Sequence, residues 1–89
     1  MKIEIKRITD IEKTERGIES WPIWEKEESE FEWFYDSQEE CYLLKGEVEI
    51  ISEDGQSYVF GAGDFVVFPK GLKCTWKIKK AVKKHYCFI

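Results

Sequence analysis

Residues 63–71 read GDFVVFPKG, and this stretch decides the fold of the chain. Its centre, residues 65–68, is a continuous apolar run, which is typical of a β-strand that is covered on both faces. Residues 61–64 before the run and residues 69–71 after it have the composition of turns. The stretch therefore predicts a buried strand between two tight turns.

Strands separated by turns continue on both sides of this stretch. Asp54-Gly55 stands between two alternating runs and is a strong hairpin signal. Gly46 is predicted to end one strand in a turn before the next begins, and Pro22 limits its neighbours to a short edge strand or turn. Strand patterns occupy residues 2–6, 30–36, 39–45, 47–52, 56–60, 73–79 and 82–88, and a helical turn is predicted at 10–16. Eight or nine short strands in all predict an all-β sandwich or barrel.

Length and composition limit the number of domains, the partners and the cellular compartment that we expect. We expect one domain over residues 1–89, with residues 1–20 as an N-terminal strand and connecting segment. There are 18 acidic against 14 basic residues, a net charge of −4, which argues against nucleic-acid or membrane partners. The chain lacks a membrane-length apolar run, a signal-peptide pattern and CxxC pairs, so we expect a cytoplasmic protein with reduced cysteines. The absence of Asn and the abundance of Glu and Lys are typical of thermostable proteins.

Two segments resemble the sequence motifs of the cupin superfamily. Residues 63–71 have the glycine and Pro-x-Gly spacing of the second motif, with Cys74 at the position of its histidine. Residues 39–46 have the Glu-to-Gly spacing of the first motif, and Trp33 and Tyr35 stand where its two histidines would be. Of the four metal ligands of metal-dependent cupins, only the glutamate is therefore present.

The resemblance is strongest over residues 31–36, 39–48 and 71–76, which look like the short single-domain cupins grouped with ureidoglycine aminohydrolases. It implies a single cupin-type double-stranded β-helix, a jelly-roll barrel whose inward-facing residues line a pocket. Because members of this family often pair, it also implies a homodimer. Since the three histidines are missing, we expect no metal ligands and no cofactor.

Strand alternation and the cupin register direct several candidate ligand-binding side chains into the barrel. These are Trp33, Tyr35, Glu39, Cys74, Trp76 and Lys84. The aromatic members have two interpretations. They form a box that stacks on a flat or cationic ligand, or they fill the barrel as core.

Glu39 and Cys74 are the candidates for catalysis. A carboxylate among aromatic rings is costly to bury in ionised form unless a partner stabilises it. Glu39 is therefore a general acid or amine-binding group, or a structural carboxyl held by Tyr35 and backbone amides. Cys74 is a nucleophile or soft metal ligand, or an inert small hydrophobic residue. His85, the one histidine, is expected to be structural or exposed.

Two functions fit these residues. The first is a small-molecule-binding cupin without a metal, in which aromatic rings surround a glutamate. The second is an enzyme resembling ureidoglycine aminohydrolase that acts on a small nitrogenous metabolite. The missing histidines favour the binding protein.

Overall fold

The computed structural model describes residues 2–89, so Met1 of the predicted domain lies outside the described residues. Across residues 2–89 there are seven strands, a short helix α1 (Asp10–Glu15) and a 3-10 turn (Ile18–Ser20). The strands are β1 (Glu4–Arg7), β2 (Ile23–Lys26), β3 (Ser29–Phe34), β4 (Glu39–Ser52), β5 (Ser57–Gly61), β6 (Asp64–Phe68) and β7 (Lys73–Phe88). No helix in this part of the chain has the length and apolar character needed to cross a membrane.

The strands form one antiparallel sheet, and the all-β prediction is confirmed. The order is β1-β6-β4-β7-β2, with β3 also pairing with β7 and β5 also pairing with β4. The two long strands, β4 and β7, pair from Glu39 opposite Phe88 to Ser52 opposite Cys74. β2 and β3 also pair with β7, so β7 is hydrogen-bonded to three strands.

The predicted strand boundaries inside β4 and β7 are wrong, because each is continuous. Gly46 lies at an irregularity in the pairing of β4 with β7, where the register shifts between Leu43 and Val48. The φ of Gly46 is 110°, and a Cβ there would lie 2.6 Å from the carbonyl oxygen of Ala81. The glycine therefore permits a close approach in a bulge that bends the strand without ending it.

The stretch that decides the fold has its predicted structure. β6 lies between β1 and β4, and its residues Phe65, Val66 and Phe68 are buried. The remaining core comes mainly from the inward-facing residues of β4 and β7. Fully or nearly fully buried members include Cys41, Leu43, Val48, Ile50, Trp76, Ile78 and Val82. This core fixes the positions of the two long strands that carry the site.

Candidate functional site

A cavity of about 190 Å³ lies inside the barrel, bounded by β2, β3, the start of β4 and β7. Lys84, Tyr86 and Phe88 alternate along β7 and so project to the same side. The cavity is lined by Trp24, Phe31, Trp33, Tyr35, Glu39, Trp76, Lys84, Tyr86 and Phe88. Its wall is therefore mostly aromatic, with one carboxyl and one amino group.

Trp76 is the central ring of the wall. It stacks on Phe31 at a centroid distance of 6.0 Å and meets Trp24 edge-on at 5.9 Å. On the core side it contacts Phe68 at 5.5 Å and Phe60 at 5.9 Å. The aromatic residues thus interdigitate as core on one side of Trp76 and border open space on the other.

Lys84 and Glu39 form a buried ion pair at the cavity. The Nζ atom of Lys84 donates to Oε2 of Glu39 at 2.6 Å, and the two side chains are 6% and 3% exposed. The same Nζ lies 4.8 Å from the ring centroid of Trp24 and 4.7 Å from that of Trp76. The ammonium is therefore stabilised by one carboxylate and by two indole faces.

Two neutral polar groups complete the site. The indole Nε1 of Trp76 is buried and has no hydrogen-bond partner among the described residues. Tyr35 is also buried, and this burial, reinforced by the charge of Glu39, raises the pKa of its phenol far above the ordinary value. The phenol therefore stays protonated. A buried donor without a partner is uncommon in proteins.

The structure brings five of the predicted site residues to the cavity. Tyr35, Glu39, Trp76 and Lys84 are buried in its wall. Trp33 also lines it but is 48% exposed, and its ring meets Tyr35 edge-on at 6.5 Å. Trp33 thus forms part of the rim, where a ligand could reach it from solvent.

Cys74 and His85 do not line the cavity. Cys74 pairs with Trp33 in the sheet, and its burial, with a smaller effect of Glu39, raises the pKa of the thiol to about 11. A thiol with that pKa is protonated at neutral pH and is a poor nucleophile or metal ligand. His85 is buried, with Nδ1 2.9 Å from the carbonyl oxygen of Trp21, a structural contact with the segment before β2.

Four lining residues were not among the predicted site residues. Tyr86 and Phe88 could have been found, because they share the strand parity of Lys84. Phe31 had the same signal, since it alternates with Trp33. Trp24 had none, because the segment around Pro22 predicted only an edge strand or turn, and its contact with Trp76 depends on the pairing of β2 with β7.

The residues at this site do not fit the metal centre that the cupin motifs imply. Among residues 2–89, no group of three or more His, Cys, Asp or Glu side chains is placed to hold a metal ion. Trp33 stands at one histidine position and provides no ligand atom. The carboxylate of Glu39 is already engaged by the ammonium of Lys84. The positive charge beside the glutamate thus comes from the chain itself.

A single antiparallel barrel with this strand order and an internal pocket defines a cupin-type protein. The EutQ-like cupin domain matches residues 13–86, which is most of the chain. The chain belongs to this family. The cupin prediction from the two motifs is therefore confirmed at the level of the superfamily and the fold.

Solved structures agree with this assignment. A DUF861 family protein from Thermotoga maritima is 50% identical, with a TM-score of 0.98 over 99% of this chain and 100% of that one. A DUF861 family protein from Pseudomonas syringae is 26% identical, with a TM-score of 0.69 over 75% of this chain and 29% of that one. The EutQ protein of Clostridium difficile, at 22% identity, shares the fold, with a TM-score of 0.69 over 97% of this chain and 66% of that one.

The comparisons leave the activity open. No curated protein matches the chain. Nothing in the family match or the similar structures points to the ureidoglycine aminohydrolase branch in particular.

Proposed function

We propose that this protein is a small-molecule-binding cupin whose ligand is a flat, uncharged, single-ring molecule that carries an amide-like group. The observation that carries the proposal is the aromatic cavity with the buried Lys84–Glu39 pair in its wall. Trp33, Trp76 and Tyr35 are assigned to ligand contact. Cys74 is left out, because it does not line the cavity.

The size and wall of the cavity support a small flat ligand. Ligand pockets usually measure about 300–1,000 Å³, whereas an apolar cavity of about 150 Å³ holds benzene. The value here, about 190 Å³, suits a single ring. A wall made mostly of aromatic residues with few polar groups is the usual pattern of a small-molecule site.

The polar groups support a ligand without net charge. Lys84 and Glu39 neutralise each other, so a charged ligand would be desolvated without a free counter-charge. The phenol of Tyr35 and the carboxylate of Glu39 place a donor and an acceptor in the same wall. An amide or lactam offers both a carbonyl acceptor and an N–H donor. We also expect no resident divalent metal.

The test is a thermal-shift panel of benzamide, nicotinamide and uracil, with benzoate and benzylamine as charged ring controls. We expect one or more neutral compounds to raise Tm with increasing concentration, and the charged rings to do so less. Trp33→Ala should weaken this binding, because the ring lines the cavity. Phe34→Ala is the matched control, since Phe34 is the next residue, is 58% exposed and does not line the cavity.

Three results would contradict the proposal. A panel that leaves Tm unchanged would mean that the cavity does not take such molecules. Equal loss of binding in the Trp33 and Phe34 variants would place the ligand elsewhere. The third is a metal analysis of the same preparation. One equivalent of bound metal in the wild type that is absent from Glu39→Gln would refute the expectation that the site holds no metal.

A further inference from the structure

We infer that Lys84 is a nucleophile that forms a reversible imine with single-ring aromatic aldehydes bound in the cavity. This inference rests on the proposed function, because it uses the same cavity and a ligand of the same size. In place of the amide group, the ligand carries an aldehyde, whose carbonyl carbon an amine can attack.

The first support is the contrast between Lys84 and the other paired lysines. Elsewhere among residues 2–89, the lysine–glutamate pairs have distances of 3.7–3.8 Å and at least one exposed partner. Lys80, for example, is 74% exposed and lies 3.7 Å from Glu47. Lys84 is 6% exposed and faces an aromatic cavity. Schiff-base lysines are also removed from water in apolar pockets, but the ammonium of Lys84 is ion-paired, so Glu39 must take its proton before the amine can attack.

The second support is the cost of the arrangement. Burying an ion pair usually gives no more stability than packing apolar side chains of the same volume. The pair nevertheless lies in the wall of the cavity, beside aromatic rings. A chemical use of the amine would give the pair a role other than stability, and Glu39 at 2.6 Å is placed to take and return its proton.

The reaction balances without any redox partner. Glu39 accepts a proton from the ammonium of Lys84, and the neutral amine attacks the aldehyde carbon, forming a C–N bond while the carbonyl electron pair moves to oxygen. A proton shift from nitrogen to oxygen gives the carbinolamine. Glu39 then returns its proton to the hydroxyl group, which leaves as water as the C=N bond forms. The product iminium carries the same single positive charge beside the same carboxylate, so the electrostatics of the site are unchanged.

The test is reductive trapping of the wild-type protein with benzaldehyde and sodium cyanoborohydride, followed by peptide mapping of benzylated lysines. Because binding concentrates the aldehyde beside the amine, we expect Lys84 to be labelled at least about tenfold faster than Lys79 or Lys80. Benzamide should slow labelling at Lys84 alone. 1-Pyrenecarboxaldehyde, which is too large for the cavity, should label only exposed lysines.

Two variants separate the roles of the pair. Lys84→Arg keeps the positive charge beside Glu39 and should abolish the fast label. Glu39→Gln should slow labelling at Lys84 but not at Lys79, while Glu47→Gln, its exposed counterpart, should change neither. The benzamide arm needs no variant, so the inference stays testable if a variant does not fold.

The outcomes distinguish this inference from the proposed function. Fast labelling of Lys84 that benzamide blocks supports both. If benzamide raises Tm but Lys84 is labelled no faster than Lys79, the imine is refuted and ligand binding stands. If none of the neutral compounds raises Tm and Lys84 is labelled no faster than Lys79, both fail.

Discussion

The buried ion pair makes a large and specific prediction about stability. Glu39→Gln removes the carboxylate from a pair whose side chains are 3% and 6% exposed, leaving the ammonium of Lys84 buried without a counter-charge. Losing one partner of a buried pair costs about 3–5 kcal/mol. Since the rings of Trp24 and Trp76 still contact the ammonium, we take the lower end, about 3 kcal/mol. A domain of this size loses about 4–8 °C of Tm per kcal/mol, so Tm should fall by at least about 12 °C.

The assay is urea unfolding and thermal melting of a matched set. Glu47→Gln breaks an exposed pair with Lys80 and should cost no more than about 1 kcal/mol. The double variant Glu39→Leu/Lys84→Met replaces the whole pair by apolar side chains and should match or exceed the wild type, by up to about 4 kcal/mol. Recovery in the double variant would show that the loss in Glu39→Gln comes from the unpaired charge.

Two results would refute this reasoning. If Glu39→Gln costs as little as Glu47→Gln, the ammonium of Lys84 is reaching water and the pair is not buried in solution. If the double variant is as unstable as Glu39→Gln, the pair is needed for the fold itself, and its burial is not a net cost to stability.

Two further predictions concern the backbone and the thiols. Gly46→Ala should lower the free energy of unfolding by more than about 2 kcal/mol, because its Cβ would meet the carbonyl oxygen of Ala81. Gly55→Ala should lower it by about 1 kcal/mol, because Gly55 has a positive φ but open space around it. Equal losses in urea unfolding would contradict the bulge at Gly46. Burial raises the pKa of Cys41 from 9.0 to about 12, so its thiol ionises first in the unfolded chain and stability should fall as pH rises from 9 to 12. Cys41→Ala should reduce this slope without abolishing it, because burial also raises the pKa values of Cys74 and Tyr35, and an unchanged slope would show that Cys41 does not contribute. In the native protein, iodoacetamide should label the more exposed Cys87 before Cys41.

Local patterns predicted most of the strands. The apolar run of β6 and the Asp54-Gly55 hairpin depend on neighbouring residues, and both appear where they were predicted. The number of strands could not be predicted in the same way. A glycine that ends a strand and a glycine in a bulge have the same local signal. Gly46 is distinguished only by the backbone of Ala81, which comes from β7 far along the chain.

The candidate site shows a similar limit. Strand alternation and the cupin motifs predicted Glu39 and Lys84 as site residues one by one. Local sequence patterns do not predict contacts between residues on different strands, so the ion pair was not predicted. In the sheet, Lys84 lies opposite Leu43, while Glu39 lies opposite Phe88, so the two are not direct neighbours. The contact needs the register of β4 on β7 and the length of a lysine side chain. Neither can be obtained from periodicity.

The ion pair also explains how a cupin pocket can keep its glutamate without the histidines. A carboxylate inside an aromatic barrel requires a positive charge nearby, because an isolated buried charge is too costly. In metal-dependent cupins a divalent ion provides that charge. Here the tethered ammonium of Lys84 does so at 2.6 Å, flanked by Trp24 and Trp76. A tethered cation offers proton donation and an amine nucleophile in place of Lewis-acid chemistry, so the reactions to test first at this site are those of an amine beside a carboxylate.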